Sequence, residues 1–216
     1  SDVCSSDLPE IILAAPQAYL LAGIGDTLAK WYEAVVLAQQ PEQLPLTVRL
    51  GINGALAIRD ILLEKSEAAL ADKQRGALTR DFSDVVDAII AGGGMVGGLG
   101  ERYTRVAAAH AVHNGLTVLP QTDKFLHGTK VAYGILVQSA LLGQDDVLAQ
   151  LIAAYQRFNL PTTLAALEVD INNRAELDKV IAHTLRPVES IHYLPLTLTP
   201  ESLRAAFEKV EKLSLI

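Results

Sequence analysis

Cysteine, methionine and tryptophan each occur once in this 216-residue chain, and aromatic residues make up only 5% of it. A single thiol, Cys4, excludes an internal disulfide framework and is compatible with a reducing cytoplasm. Positive charge is also short, since 18 Lys+Arg against 25 Asp+Glu leave a net charge of −7 at pH 7. With no basic stripe and no interleaved aromatics, no nucleic-acid partner is expected. Apolar runs are interrupted by Gly, Asp or Lys short of the ~18 residues a membrane span needs, so no membrane partner is expected either. What is abundant is apolar surface to bury. Half the residues are hydrophobic and the mean hydropathy is +0.26, which excludes disorder and allows one large domain or two small ones.

An initiator Met is absent too, the one methionine being Met95. Ser1-Asp2-Val3-Cys4-Ser5-Ser6-Asp7-Leu8 has neither the basic start nor the apolar core of a signal peptide. It matches the translation of a short-read sequencing adapter, TCA GAC GTG TGC TCT TCC GAT CT, with any base completing the leucine. Residues 1–8 are therefore expected to be foreign, with native sequence from about Pro9 and a preceding portion missing. Cys4 then says nothing about the native protein.

From Pro9 onward the pattern is helical. Tyr19, Leu20, Ile24, Leu28, Trp31, Tyr32, Val35 and Val36 recur at three- and four-residue spacing, with Pro16 placed in the first turn. The stripe repeats through Val48, Ile52, Leu56, Ile61 and Leu62, within a helix expected over Leu46 to Lys65, and again from Phe82 to Ile90. Helices are predicted near 103–119, 129–142, 145–158, 162–167, 175–185 and 200–213, the last with Thr199 as N-cap and Pro200 at the first position. Ile191 to Leu198 is one weak strand candidate. The expected fold is a single all-α domain over residues 9–216.

Gly92, Gly94 and Gly97 fit G-x-G-x-x-G, but that fingerprint needs a strand before it and an acidic residue about 20 positions after it. Here the preceding segment has helical periodicity and the acidic residue is missing, so the run is expected to break a helix and permit close approach. Of the five histidines, three lie between positions 110 and 127. His110 and His113 share one face of a helix a turn apart. His127 follows Pro120 and precedes Gly128, as if starting a new helix. Two imidazoles and a carboxylate from separate elements suit a divalent metal. Asp26, interrupting an apolar run, is the carboxylate candidate, being costly to bury unpaired. The same residues also suit satisfied structural histidines, and pattern alone leaves both open.

Gly23-Ile24-Gly25-Asp26-Thr27-Leu28-Ala29-Lys30-Trp31-Tyr32-Glu33-Ala34, Ala109-His110-Ala111-Val112-His113-Asn114-Gly115-Leu116-Thr117 and His127-Gly128-Thr129-Lys130-Val131-Ala132-Tyr133-Gly134 occur in that order. Together with Ile191-His192-Tyr193-Leu194-Pro195, they resemble the C-terminal half of the glycerol dehydrogenase-like branch of the iron-containing alcohol dehydrogenase family. The resemblance implies a helical metal-holding domain preceded by an α/β domain that binds NAD or NADP, with the active site in the cleft between them. It implies Asp26, His110 and His127 as ligands of Zn²⁺ or Fe²⁺. Other branches have a fourth ligand, a histidine one turn after the Asp; Lys30 stands there in this chain, which fits a three-ligand site.

The implied activity is hydride transfer between nicotinamide and a small 2-oxo or 2-hydroxy acid, with a polyol such as glycerol as the alternative substrate. His113 has two readings, a proton relay or a hydrogen-bonding residue of a polar cleft. Lys30, Arg102 and Arg105 are candidates for binding a substrate carboxylate, against solvated surface charge. His183 and His192 are expected only to make hydrogen bonds. A non-catalytic helical interaction domain is the competing class, homo-oligomerisation of the full-length protein is left open, and the chain alone is expected to show no turnover.

Overall fold

In the computed structural model, which describes residues 3–215, the apolar stripes are realised as helices, with no strand among the described residues. Ser1 and Asp2 of the expected foreign octapeptide lie outside the described residues. The chain divides into two compact units, Ser1–Arg105 and Val106–Ile216.

The first unit contains α1 (Val3–Ala14), α2 (Gln17–Leu37), α3 (Leu46–Arg75), α4 (Arg80–Asp87) and α5 (Gly93–Leu99), with 3-10 turns at Pro41–Gln43 and Glu101–Thr104. Pro16, expected inside a first turn, stands just ahead of α2 with extended ψ of 140° and separates it from α1. Helix α2 pairs with α3, and Ala34, Ala38, Val48 and Ile52 form a buried cluster flanked by Trp31, Leu44 and Tyr103. Each large aliphatic side chain buried this way contributes roughly 1.5–3 kcal/mol. Helix α3 runs ten residues past its expected end at Lys65 and stops at Gly76, whose φ of 66° is the left-handed turn that ends helices.

The glycine run does not break the helix. Ala88–Gly92 form a π turn joining α4 to α5, and Gly92 and Gly93 keep right-handed helical backbone. Close approach does occur, because a Cβ added to Gly51 would lie 2.7 Å from the backbone nitrogen of Gly100. Since helix α4 leads into the glycines, the dinucleotide fingerprint is excluded. Continuity also corrects the expectation about apolar runs. Arg80–Leu99 is a 20-residue helical stretch with an 18-residue window of mean hydropathy 1.3, long and apolar enough by length and composition to cross a membrane. Phe82, Val85, Val86 and Val96 in it are buried, while Ile90 and Met95 are exposed and only 33% of the window is buried.

The second unit contains α6 (Ala108–Leu116), α7 (His127–Leu141), α8 (Asp145–Phe158), α9 (Arg174–Thr184) and α10 (Pro200–Ser214). His127 does begin a helix. At α10, Thr199 Oγ1 accepts from Ser202 N–H at 3.1 Å and Ser202 Oγ accepts from Thr199 N–H at 3.0 Å, a reciprocal cap ahead of the expected start.

Three further expectations differ. The 103–119 segment is α-helical only over Ala108–Leu116, because Thr104 Oγ1 donates to Val96 carbonyl at 2.9 Å and ties that end back to α5. The 162–167 segment holds one 3-10 turn, Ala165–Leu167, since Leu164 N–H donates to Glu211 on α10 instead of starting a helix. Ile191 to Leu198 starts as a 3-10 turn, Ser190–Tyr193, and forms no strand.

Candidate metal centre

Small residues decide where the histidines sit. A Cβ on Gly134 of α7 would lie 2.3 Å from the carbonyl oxygen of Ala109, so α6 and α7 touch backbone to backbone. On its other side α6 meets α9 through Gly115, whose added Cβ would be 2.8 Å from Val180 carbonyl. Helix α6 has no local cap. Gln138 of α7 supplies one, its Oε1 accepting from Ala108 N–H at 3.1 Å and Ala109 N–H at 3.3 Å. These contacts hold His110 and His113 of α6 beside His127, the first residue of α7.

The three imidazoles converge. Ring centroids of His110 and His127 are 5.4 Å apart, and those of His113 and His127 are 4.2 Å apart, edge to face. His127 Nδ1 lies 3.0 Å from His113 Nε2, and His113 Nδ1 lies 3.0 Å from Asn114 Oδ1. Asn114 Nδ2 donates to Glu189 Oε2 at 2.7 Å, and Arg186 donates to Glu189 Oε1 at 2.5 Å. Burial, then the neighbouring His127, bring the His113 pKa down to about 4, so this ring is neutral near pH 7. Burial pushes the Glu189 carboxyl up, but hydrogen bonds from Arg186 and Asn114 outweigh it and hold the group below the usual range.

Asn114, Glu189 and the buried Lys130, whose Nζ donates to Thr122 carbonyl at 3.2 Å, were not singled out in the sequence. Asn114 adjoins His113, which is a usable signal. Glu189 is 75 positions away and gives none. His192 stays in a hydrogen-bonding role, its Nε2 lying 3.1 Å from Arg186 carbonyl, while His183 Nε2 lies 3.9 Å from Glu189 Oε1, outside hydrogen-bond reach.

The remaining predicted residues belong to the first unit. Asp26 lies half-buried on α2 between buried Gly25 and Thr27. Lys30, one turn on, lays its chain over the glycine helix, with Cε 3.4 Å from the Cβ position of Gly93. Arg102 stacks on Tyr103, its Cζ 5.0 Å from the ring centroid, and Arg105 is exposed. For a divalent cation the donor chemistry fits. His110 and His127 are borderline-soft nitrogen donors on adjacent helices, and one ring nitrogen of His127 is already held by a hydrogen bond to His113, the kind of support ligating histidines generally have.

Known proteins share this sequence and fold. The chain is 85% identical over 203 residues to hydroxycarboxylate dehydrogenase A of Escherichia coli, covering 94% of this chain and 56% of that protein. It is 34% identical over 208 residues to glycerol dehydrogenase of Pseudomonas putida, again covering 94% of this chain and 56% of the relative. Among solved structures, a probable glycerol dehydrogenase from Sinorhizobium meliloti superposes with a TM-score of 0.85 at 29% identity, over 96% of this chain and 58% of that one. No family model matches the chain. It spans a little over half the length of these relatives. Along nearly all of its own length it is similar to hydroxycarboxylate and glycerol dehydrogenases, and over that length it shares a glycerol dehydrogenase-like helical fold.

Proposed function

We propose that Asp26, His110 and His127 hold a divalent cation, Zn²⁺ or Fe²⁺, in the metal-holding part of an NAD- or NADP-linked dehydrogenase for small 2-oxo and 2-hydroxy acids. The observation that carries this is the convergence of His110 and His127, seventeen positions apart in sequence, onto adjacent helices with a third imidazole bonded to one of them. Bound there, the cation supplies Lewis-acid polarisation of a carbonyl for hydride exchange with nicotinamide, which is expected to bind mainly to sequence outside this chain.

The chain's own residues supply the rest. Neutral His110 and His127 offer nitrogen lone pairs, and Asp26 offsets part of the metal charge. His113, neutral near pH 7 and 3.0 Å from His127 Nδ1, steadies that ring by a hydrogen bond, both of its own nitrogens being engaged, and so does not relay a proton. Lys30, Arg102 and Arg105 supply cationic donors for a substrate carboxylate. The 85%-identical hydroxycarboxylate dehydrogenase A favours a 2-oxo acid, while the glycerol dehydrogenases favour a polyol. Replacing those three cations in the full-length enzyme is expected to raise KM for 2-oxo acids more than for neutral carbonyls; equal effects would favour the polyol.

Calorimetric zinc titration of the metal-free chain tests the ligand set. One ion per chain is expected. Neighbours of metal ligands typically contribute about 10–100-fold in affinity, so His127→Ala and Asp26→Asn should each weaken binding by more than about 100-fold. Unchanged affinity in either variant would sink the three-ligand assignment.

A further inference from the structure

Taking the metal-holding role of His127 as its basis, we propose that Glu189 is a positioning residue for that ligand. It acts through Asn114 and His113 to fix which nitrogen of His127 keeps a lone pair. All the residues concerned lie in the second unit, on α6, at the start of α7 and just ahead of the Ser190–Tyr193 turn.

The chain of bonds has only one consistent assignment. Arg186 only donates, and at 2.5 Å it faces Glu189 Oε1. The ionised Glu189 carboxylate only accepts, so the Asn114 group 2.7 Å from Oε2 must be its NH₂. That leaves Asn114 Oδ1, another pure acceptor, facing His113 Nδ1 at 3.0 Å, so His113 carries its proton on Nδ1. A neutral imidazole has one N–H, hence His113 Nε2 accepts, and His127 Nδ1, 3.0 Å away, must donate. His127 is thereby left with its lone pair on Nε2, the atom a metal would use.

The opposite arrangement would satisfy the His113–His127 pair equally well, with the opposite effect, but it would turn Asn114 Oδ1 onto the acceptor-only Glu189 carboxylate. With the amide turned over, His113 would hold its proton on Nε2 and donate to His127 Nδ1. His127 Nε2 would then carry the proton and ligation there would be blocked. Glu189, buried to 6% exposure, chooses between the two because it accepts and cannot donate.

This logic gives an isosteric test. In Glu189→Gln the new amide oxygen turns to Arg186 and its NH₂ faces Asn114, which reverses the whole series. The experiment is a long-range ¹H–¹⁵N spectrum of the ¹⁵N-histidine-labelled, metal-free 216-residue chain, above the histidine titration range. In the wild type, His113 and His127 are both expected as Nδ1–H tautomers. Glu189→Gln should move His127 to Nε2–H and weaken zinc binding by about 10–100-fold. Asn114→Ala, which leaves the Arg186–Glu189 pair intact, should give mixed tautomers and an intermediate loss.

An Nε2–H tautomer at either ring in the wild type would overturn the proposal, as would an unchanged His127 tautomer in both variants. Because the tautomers are read without metal, the two ideas fail separately. Nδ1–H rings with no zinc binding would reject the metal assignment and keep the hydrogen-bonded series. Zinc binding by a chain with Nε2–H rings would do the reverse.

Discussion

Glycine serves different ends in the two units. In the first, Gly92 to Gly100 form a dense run that remains helical, and Gly94 and Gly98 have no atom within 4 Å of an added Cβ. In the second, Gly115 and Gly134 stand alone in sequence, yet each is pressed against the backbone of a neighbouring helix. The isolated pair places the histidines, whereas Gly94 and Gly98 of the conspicuous run face open space. Backbone contact, not glycine density, marks a position that nothing larger can occupy.

The same substitution should therefore have opposite signs in the two regions. Gly134→Ala must push α6 from α7 and is expected to cost about 3 kcal/mol, the upper end for overpacking, measured by urea unfolding. It should also separate the imidazoles and weaken zinc binding. A loss below about 1 kcal/mol would show that α6 moves freely and would undo the contrast.

Gln138→Leu comes next. It leaves the buried N–H groups of Ala108 and Ala109 without that acceptor, at about 1–3 kcal/mol. Gly94→Ala, on an open helical face, should stabilise the chain by about 0.5–1 kcal/mol. Destabilisation there would mean that the exposed glycine face is needed for packing.

The smallest effects are pH-dependent and differ in sign. Hydrogen bonds from Lys65, then Arg80, hold the Asp84 carboxyl of the first unit below its ordinary pKa. Its stabilising contribution is thus present above the unfolded pKa and lost as pH falls through the folded one. In the second unit burial raises the Glu211 carboxyl despite hydrogen bonds from Leu164 N–H and Tyr133 OH. Its contribution is full below the unfolded pKa and is lost as pH rises through the raised folded value. Asp84→Asn should therefore cost stability at neutral pH, with the cost fading on acidification. Glu211→Gln should cost least at neutral pH, because its amide oxygen can still accept both bonds without the burden of a buried charge. Parallel pH profiles for the two variants would contradict these assignments.

Much of this was legible locally. Helix α8 spans its predicted 145–158 and α10 begins at its predicted cap, because apolar period, Thr199 and Pro200 act within a few residues of one another. His110 and His113 were legible as one helical face for the same reason. Segment 162–167 was misread because Glu211, 47 positions beyond Leu164, takes the N–H that a helix start would need placed otherwise. The glycine run was misread because a π turn lets the helix continue through residues of poor helix propensity.

By itself, then, the sequence determined the all-helical character, most helix spans and the residue types available for a metal, since periodicity, caps and side-chain chemistry are local properties. Only the tertiary structure decided that His113 bonds to His127 and that α6 is capped by Gln138 from α7. It also decided that a carboxylate 75 residues from Asn114 ends the hydrogen-bonded series. Those outcomes depend on which helices touch. That is set by the contacts Gly115 and Gly134 permit, and no spacing along the chain encodes it.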